Sequence, residues 1–475
     1  MKCCGVPKSD YPNIIFIVVD SLRKDFAKPL EAELKKLGFT SYENVIAPAP
    51  WTVPSHASIF TGLYPAFHGA HETRTRKGVA VKLQKSSGIL SDYLDNLGYR
   101  TYLLSANPYI RPEFGFSKFD HFYGVSYTPV PLTEKLLKLS DDESRVVEEL
   151  KKRMLKFKIS KIKLAEELMF RKRCKLLKKL SLRYLYHKLG LHRLYLYTFA
   201  VYRKWPLDKG ASELVNRLAS LLKNAPKNEP KFIFMNLMEV HEPYTLNEIF
   251  NKEHIGRKNL KTNTLDQKIV KKWRENYSMA VAYVTKKILE VMQILREHGM
   301  FDNSLIIVTS DHGQLLGEHG RVWHGTFLYD ELLRVPLLVK YPSWIKVEHV
   351  QEDTKYISLA RLKRFILEVI DNSIDTDGIL YEDTVYAESY GIPVDIGEPL
   401  SEEERRNIGY LEKYRVAVYH KSFKALFNVS DWKFEEIVSY DPKLDISEDI
   451  VKILKNEIMK LLRITTSIKA LKLGT

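Results

Sequence analysis

The chain has few cysteines, no long apolar run and no low-complexity tract. Its 475 residues include three cysteines, which are too few for a disulfide framework and favour a reducing compartment. The first apolar run, residues 14–19, ends at an acid and is too short for a signal sequence or a membrane span, which needs about 18 apolar residues. No internal repeat or Gly/Ser-rich linker is present. We therefore expect a globular protein located in the cytoplasm.

Two apolar runs in the chain end at acids. Asp20 follows the run 14–19, and Asp311 and His312 follow the run 304–309. Short apolar runs are typical of buried strands in a parallel sheet, whose carboxyl ends open at one edge where ligands bind. The two carboxylates are therefore expected side by side, and two like charges in one place favour a cation between them.

A hydroxyl group completes the expected site. Thr52 lies in the segment 51–56, Trp-Thr-Val-Pro-Ser-His. Taken alone, Thr52 is more typical of a turn or a cap than of a functional site. Asp20, taken alone, is about as typical of a helix cap after a strand as of a functional site. Together with Asp311 and His312, these side chains are the parts of a metal-activated nucleophile.

The ordered motifs of the chain resemble those of the sulfatase and alkaline phosphatase superfamily. They include a nucleophile turn with the helix it opens, an acid-x-His-x-Pro-Tyr strand end and an Asp-His-Gly strand end. The similar segments lie at 51–65, 97–101, 238–244, 311–320, 324–325, 332–336 and 437–442. The resemblance covers roughly residues 13–125 and 231–345 and, more weakly, 380–462.

The resemblance implies an α/β fold with a mostly parallel central sheet flanked by helices. Residues 1–345 would form the catalytic domain, within which 134–225 would be a basic helical insertion. Residues 346–475 would form a small α+β subdomain that completes the fold, with an antiparallel sheet and a final helix.

The nucleophile turn departs from that of sulfatases. In their Cys/Ser-x-Pro-x-Arg motif the first residue is oxidised to formylglycine, whereas this chain has Thr52 in that place and His56 in place of the Arg. Threonine cannot become that aldehyde. The phosphatase, phosphodiesterase and phosphoethanolamine-transferase branches use a plain alkoxide, which implies chemistry on phosphoesters with Thr52 as the nucleophile. The alternatives are sulfate-ester hydrolysis without formylglycine and a non-catalytic protein that binds anionic surfaces.

The expected cofactor is a divalent metal, as one ion or two. The predicted metal ligands are Asp20, Thr52, Asp311 and His312. An imidazole in this set favours Zn²⁺ or Mn²⁺, and Ca²⁺ is a further option. Substrate binding is assigned to His56 and Glu239, and the expected substrate is an anionic phosphoester or sulfate ester.

Two further histidines are expected near the nucleophile. His241 and His324 would either bind a second metal ion or act on the leaving group as general acids, and the sequence does not separate these roles. Both are therefore candidate catalytic residues. Glu318 and His319 follow the second acid closely, but hydrogen bonding within their loop is the favoured interpretation.

The net charge of the chain is concentrated in one segment. Residues 151–204 contain 18 of the 74 Lys and Arg residues and 2 of the 59 Asp and Glu residues, a net charge of +16, whereas the rest of the chain has a net charge of −1. Apolar and aromatic residues at helical spacing predict helices here. The segment could be a solvated lid, a surface for peripheral contact with an anionic membrane, or a non-specific nucleic-acid contact. No specific nucleic-acid partner is expected, because no recognition motif is present.

Overall fold

A mostly parallel sheet forms the centre of the fold. The protein is represented by a computed structural model that describes residues 11–84, 88–128, 139–157, 166–169, 173–246, 248 and 254–473. The strands in these residues are β1 Asn13–Val19, β2 Thr40–Tyr42, β3 Val45–Ile46, β4 Arg100–Ser105, β5 His121–Gly124, β6 Lys231–Leu237, β7 Ser304–Thr309, β8 Leu315–Leu316, β9 Val322–Trp323, β10 Leu337–Lys340, β11 Tyr356–Ser358, β12 Tyr381–Glu382, β13 Thr384–Ser389, β14 Arg415–His420, β15 Phe423–Asn428 and β16 Lys433–Ser439.

Helices cover both faces of the central sheet. The α-helices in the described residues are α1 Lys28–Lys35, α2 Thr52–Thr61, α3 Pro65–His68, α4 Leu90–Asn96, α5 Asp141–Phe157, α6 Cys174–Lys188, α7 Leu191–Arg203, α8 Ala211–Asn224, α9 Ile255–Thr262, α10 Gln267–Glu297, α11 Asp330–Leu333, α12 Leu362–Ile370, α13 Glu402–Leu411 and α14 Glu448–Leu473. Short 3₁₀ helices lie at Gly78–Ala80, Pro112–Phe114, Glu318–Gly320, Leu359–Arg361 and Asp377–Leu380.

The central sheet has the strand order β2-β10-β7-β1-β6-β4-β5. The strands from β7 to β5 in this order run parallel, and β10 is antiparallel to its neighbours β7 and β2. Every residue of β1 is buried, as expected for a strand that is covered on both faces. The predicted mostly parallel sheet is therefore confirmed.

Alternate side chains of β1 enter two hydrophobic cores. Ile15 and Ile17 face the core formed with α1, α8 and α10, whereas Phe16 and Val18 face the core formed with α2, α4 and α12. This division follows from the two-residue period of a strand. Because both faces are packed, the carboxyl end of β1 is held rigidly at the sheet edge.

The long helix α10 is amphipathic over residues 267–297. Its buried side chains recur every three or four residues, as in Val270, Trp273 and Tyr277, and they face the first core. The Asp266 side chain caps the helix by accepting a hydrogen bond from the backbone N–H of Lys268 at 2.9 Å.

The predicted basic insertion is helical where the structure describes it. Helices α5 and α6 enclose a small separate apolar cluster that includes Val146, Leu150 and Leu176. By contrast, α8 buries Leu214 and Leu218 in the first core of the central sheet. The part of the insertion that stands apart from the sheet therefore ends before α8.

The C-terminal region contains the predicted antiparallel sheet and final helix. Strands β13, β14, β15 and β16 form one antiparallel sheet, and α14 packs on it through Leu454 and Ile458. Residues 356–370 belong elsewhere, because β11 pairs with β3 and the α12 side chain Phe365 lies in the second core of the central sheet. The domain boundary at 345 stays a prediction, and the packing favours a boundary near β13.

None of the helices in the described residues combines the length and the apolar character that crossing a lipid bilayer requires. Cys174 is exposed and has a free thiol. Cys3 and Cys4 lie outside the described residues.

Candidate active site and metal centre

The predicted acids and the nucleophile lie together at the carboxyl edge of the sheet. Strands β1 and β7 are neighbours, and potential ligand atoms of Asp20, Asp311 and His312 lie within 4.8 Å of one another. Thr52 is the first residue of α2, and its Oγ1 lies 3.3 Å from Oδ2 of Asp20 and 3.4 Å from Nε2 of His312. The structure therefore brings the four predicted metal ligands to one place.

Backbone groups orient His312 and Asp311. Nδ1 of His312 lies 2.8 Å from the carbonyl oxygen of Gly313 and donates to it, which leaves Nε2 facing the acids. Oδ1 of Asp311 accepts hydrogen bonds from the backbone N–H groups of Ser21 and His312, at 3.2 and 3.0 Å. The Ser55 hydroxyl, one turn into α2, donates to the Asp311 carbonyl oxygen at 2.6 Å. These contacts fix the strand end against the start of the helix.

The donor set fits a divalent metal. Oδ2 of Asp311 is buried and accepts no hydrogen bond of good geometry from the residues that the structure describes. Buried carboxylate oxygens normally accept hydrogen bonds, so one without such a bond, beside a second carboxylate, is suited to bind a cation. Burial acts to raise the pKa of Asp311, but His312 and His56 outweigh it and hold the pKa well below its usual range. The carboxylate is therefore ionised and able to act as a ligand.

Asn107 is a site residue that the sequence predictions missed. It follows β4, and its Nδ2 donates to Oδ2 of Asp20 at 2.7 Å. The oxygen of its side-chain amide accepts from the backbone N–H of Tyr109, which sets the amide orientation. The rule that located Asp20, a polar residue just after an apolar strand, could have located Asn107 as well.

A second cluster lies beside the first and contains both predicted histidines. Potential ligand atoms of His241, Glu242 and His324 lie within 4.8 Å of one another. The His324 ring stacks on that of His312 with centroids 4.6 Å apart, and it lies 5.0 Å from the ring of His241. The two clusters are therefore in contact. Glu242 was not among the predicted site residues.

Hydrogen bonds hold the second cluster in place. Gln314 donates from Nε2 to Oε2 of Glu242 at 3.0 Å, and its Oε1 lies 2.8 Å from Nδ1 of His324. Because Glu242 can only accept, Gln314 presents its oxygen to His324, whose Nδ1–H must donate. Trp323 donates from Nε1 to Oε1 of Glu242 at 2.6 Å. Nδ1 of His241 donates to the carbonyl oxygen of Glu242 at 2.6 Å.

The two histidines of this cluster differ in electrostatic environment. Burial acts to lower the pKa of His241, but the carboxylates of Glu242 and Asp20 outweigh it, so the pKa is raised. Burial lowers the pKa of His324, despite the attraction of Glu242. Burial acts to raise the pKa of Glu242, but His241 and His324 hold it well below its usual range. His241 therefore retains a proton more readily than His324 does.

A cavity of about 460 Å³ opens onto the clusters. Thr52, His241 and His324 contribute to its wall, whereas the buried side chains of Asp20 and Asp311 lie behind it. Aromatic side chains supply much of the remaining wall: Trp51, Tyr109, Tyr127, Trp273 and Trp323. His254 and Arg257 line the cavity as well. The cavity thus combines apolar walls with a few convergent polar groups, as small-molecule sites commonly do.

His56 lies away from this cavity. It is fully buried behind Asp311, and its Nδ1 lies 3.0 Å from the Thr52 carbonyl oxygen and 3.4 Å from Oδ2 of Asp311. Its Nε2 lies 3.1 Å from the side-chain amide nitrogen of Asn236 on β6. Contact with substrate stays a prediction for His56, and its position favours a role in supporting Asp311.

Glu239 is also fully buried outside the cavity wall. Its Oε1 accepts hydrogen bonds from the backbone N–H groups of Lys209 and Ala211, at 3.0 and 2.8 Å, where α8 begins. The Lys209 ammonium donates to the Glu239 carbonyl oxygen at 2.7 Å. Burial raises the pKa of Glu239. Its predicted substrate contact remains untested, and the geometry favours a structural role at the helix start.

Glu318 and His319 lie outside both clusters. Glu318 accepts hydrogen bonds from Arg23 at 2.9 Å and from Arg274 at 2.6 Å. The ring of His319 stacks on that of Tyr329, with centroids 3.8 Å apart. Glu318 is therefore a hydrogen-bonding loop residue, as the sequence interpretation favoured, although these two partners lie outside its loop.

The sheet, the flanking helices and the site at the strand ends define an α/β protein with a candidate metal centre at the carboxyl edge of its parallel strands. A family model described as Sulfatase matches residues 12–371. The chain belongs to this family.

Individual relatives match short stretches, whereas solved structures match nearly the whole chain. The N-acetylglucosamine-6-O-sulfatase of Bacteroides thetaiotaomicron is 39% identical over 75 residues, which is 16% of this chain and 13% of that relative, far less than two thirds of the relative's length. The phosphonate monoester hydrolase of Silicibacter pomeroyi superimposes with a TM-score of 0.59 at 16% identity, over 96% of this chain and 95% of that chain. A 2-O GAG sulfatase gives a TM-score of 0.60 at 13% identity, over 97% of this chain and 93% of that chain. At such identities the structural likeness concerns the fold.

Proposed function

We propose that this protein is a metal-dependent hydrolase or phosphoryl-group transferase that acts on phosphoesters, with Thr52 as the nucleophile. One observation carries the proposal. Thr52, at the start of α2, lines the cavity, and its hydroxyl oxygen lies 3.3 Å from Oδ2 of Asp20 and 3.4 Å from Nε2 of His312. A cavity-lining residue whose hydroxyl contacts the candidate metal ligands is suited to act as an activated nucleophile.

Asp20, Asp311 and His312, together with the Thr52 oxygen, would hold the divalent ion. An imidazole with carboxylates favours Zn²⁺ or Mn²⁺ over Ca²⁺. When bound, such an ion would lower the pKa of the threonine hydroxyl and neutralise charge on the transferred group. His241, Glu242 and His324 offer a place for a second ion, so we propose one or two ions.

The chain itself supplies further stabilisation. Thr52 lies at the N-terminus of α2, where the helix dipole and free backbone N–H groups favour negative charge. His241, with its raised pKa, is suited to donate a proton to the leaving-group oxygen. His324 carries its proton on Nδ1 when neutral, so its Nε2 is free to accept a hydrogen bond or to bind an ion.

The reaction would proceed through a covalent intermediate. As the Thr52 oxygen attacks phosphorus, its hydroxyl proton passes to solvent, the P–O bond to the leaving group breaks, and the leaving oxygen takes a proton from His241. Water or an acceptor alcohol then attacks the phosphothreonine and gives a proton back to His241, the bond between Thr52 and phosphorus breaks, and the Thr52 oxygen takes a proton from solvent. Hydrolysis and transfer differ only in this second attacker.

Sulfate-ester hydrolysis is the second candidate. Family membership and the match to an N-acetylglucosamine-6-O-sulfatase favour it. Thr52 counts against it, because threonine cannot become the formylglycine that sulfatases with the Cys/Ser-x-Pro-x-Arg motif use as the nucleophile. A non-catalytic role is the third candidate, and the complete set of Asp20, Thr52, Asp311 and His312 counts against decay of the site. A cytoplasmic location remains part of this proposal.

Substitution of Thr52 tests the nucleophile. Thr52→Ala should abolish turnover of an aryl phosphate by the metal-loaded protein, whereas Thr52→Ser should retain part of it because the attacking oxygen survives. Thr61→Ala is the matched control, since Thr61 lies at the far end of the same helix and its hydroxyl bonds the Ala57 carbonyl oxygen at 2.6 Å. Wild-type turnover in Thr52→Ala would mean that water attacks directly and would overturn the proposal.

A further inference from the structure

Helices α6 and α7 form a hairpin that exposes a continuous set of apolar side chains. Leu189 and Gly190 join the two helices, and Gly190 adopts a left-handed conformation with φ of 68°. The exposed large apolar residues of this hairpin are Leu182, Tyr184, Leu185, Leu189, Leu191, Leu194, Tyr197, Val201 and Tyr202. Side chains of this kind are normally scattered singly over a protein surface, so their concentration on one hairpin marks a contact surface.

The spacing of the leucines and Val201 places them in a stripe on one side of each helix. On α7, Leu191, Leu194 and Val201 recur at helical spacing and share one side. On α6, Leu182 and Leu185 lie one turn apart. The leucines at the tip, 189 and 191, flank Gly190 and connect the two stripes. The hairpin therefore exposes apolar residues on the side that faces away from its buried cluster.

The charge around the stripes has a single sign. Residues 173–204 contain nine Lys and Arg residues and no Asp or Glu. Arg173, Lys179 and Arg203 form ion pairs with acids from outside this range. Lys188 and Arg193 are exposed on either side of the tip. A partner for this surface must therefore be apolar at its centre and negatively charged at its rim.

We propose that the α6–α7 hairpin docks the protein on an anionic lipid bilayer, with its leucine tip in the boundary between headgroups and acyl chains. Basic side chains beside an apolar helix face suit this position, because their aliphatic stems lie along the apolar layer while their charges reach the headgroup phosphates. A second copy of the chain is disfavoured as occupant, since it would bring nine further positive charges to the contact.

The base of the hairpin is tied to the wall of the active-site cavity. Arg203 donates to the Ser126 carbonyl oxygen at 3.2 Å, and Trp205 donates to the Tyr127 carbonyl oxygen at 3.2 Å. Tyr127 lines the cavity, and its ring lies 5.8 Å from that of His241. The docking surface and the cavity are therefore connected through adjacent residues. The docking proposal does not depend on the reaction that the cavity catalyses.

Vesicle sedimentation of the full-length protein tests the proposal. Wild-type protein should bind vesicles of phosphatidylcholine mixed with phosphatidylglycerol, bind phosphatidylcholine alone much more weakly, and dissociate as salt is raised. The double variant Leu189→Glu/Leu194→Glu should bind the anionic vesicles at least about tenfold more weakly. Leu400→Glu/Leu444→Glu is the matched control, because both leucines are exposed elsewhere and the change in charge is the same. The control should bind as the wild type does.

A second pair of variants tests the basic side chains of the hairpin separately from its apolar side chains. Lys188→Gln/Arg193→Gln should also weaken binding to the anionic vesicles, whereas Lys433→Gln/Lys443→Gln, at exposed positions outside the hairpin, should not. Circular dichroism and thermal melting of each variant report whether the fold is kept.

Several results would overturn the docking proposal. These are an absence of wild-type binding to anionic vesicles, equal binding to neutral and anionic vesicles, and unchanged binding of folded hairpin variants. Light scattering provides a further test of the occupant. If the wild type is a dimer that does not bind vesicles and Leu189→Glu/Leu194→Glu is a monomer, the occupant is a second copy of the chain.

Discussion

Nδ2 of Asn107 lies 2.7 Å from Oδ2 of Asp20, the same carboxylate oxygen that lies 3.3 Å from the Thr52 hydroxyl. One oxygen of Asp20 is thus shared by a neutral donor from the loop after β4 and the proposed nucleophile. The other oxygen, Oδ1, accepts from the Ser21 hydroxyl at 2.9 Å. The orientation of the Asp20 carboxylate is therefore fixed from two sides.

Loss of the Asn107 amide should weaken the metal centre without removing a ligand. Asn107→Ala frees the Asp20 carboxylate to rotate, so we expect metal affinity to fall by about tenfold to a hundredfold. Titration of metal against a competing chelator measures this. Asn224→Ala, at an exposed amide that bonds the Ser220 carbonyl oxygen, should leave the affinity unchanged. Unaltered affinity in Asn107→Ala would show that the Asn107–Asp20 contact plays no part in metal binding.

Removal of the charge of one proposed ligand should lower metal binding more than the loss of the Asn107 amide does. Asp311→Asn is nearly isosteric, so it should remove most bound metal and activity while the far-ultraviolet circular dichroism spectrum is kept. Asp302→Asn is the matched control, because Asp302 is exposed just before the opposite end of β7. Elemental analysis of the purified variants provides the readout. Full metal occupancy in Asp311→Asn would remove Asp311 from the ligand set.

Glu72, which is not one of the proposed metal ligands, gives a pH-dependent prediction. Its carboxylate accepts from Trp51 Nε1 at 2.7 Å and from the Tyr390 backbone N–H at 2.9 Å, and burial raises its pKa from 4.5 to about 7. A carboxyl with a raised pKa in the folded state holds its proton more tightly there than in the unfolded chain. Its stabilisation is therefore fully present below pH 4.5 and is lost as pH rises towards about 7.

Glu72→Gln should remove this component of the pH dependence. Wild-type protein should lose up to about 3 kcal/mol of unfolding free energy through this group between pH 4.5 and pH 7, since one pKa unit corresponds to about 1.4 kcal/mol. The variant cannot titrate there and should lose less over the same range. Urea unfolding of both proteins at the two ends of the range measures the difference. Parallel pH profiles would contradict the raised pKa.

The central sheet and the core of the site were predictable because their signals are local. An apolar run followed by an acid identifies a strand end, and this pattern placed Asp20 and Asp311 together before any contact was known. The buried residues of α10 recur at helical spacing over residues 267–297, a signal that is likewise local. Each of these features depends on a short segment, in which the spacing of the apolar residues indicates which side chains are buried.

The positions of other residues depend on contacts between distant segments. Trp323 bonds Glu242, and Gln314 links Glu242 to His324, so the second cluster depends on the pairing of segments that are separate in sequence. His56 lies on α2, whose residues are nearly all buried, so the helix has no polar side whose period could show where His56 faces. The return of residues 356–370 to the central sheet depends on the pairing of β11 with β3, which no local pattern indicates.

A comparison of substrates on the metal-loaded wild-type protein tests the central claim most directly. The kcat/KM values for an aryl phosphate, an aryl phosphodiester and an aryl sulfate are measured side by side. Transferred phosphoryl groups bear more negative charge than sulfuryl groups, and a metal ion with His241 and His324 is arranged to neutralise it. We therefore expect at least one phosphorus ester to react faster than the sulfate. A preference for the sulfate of tenfold or more, about 1.4 kcal/mol in barrier height, would contradict phosphoester chemistry at Thr52.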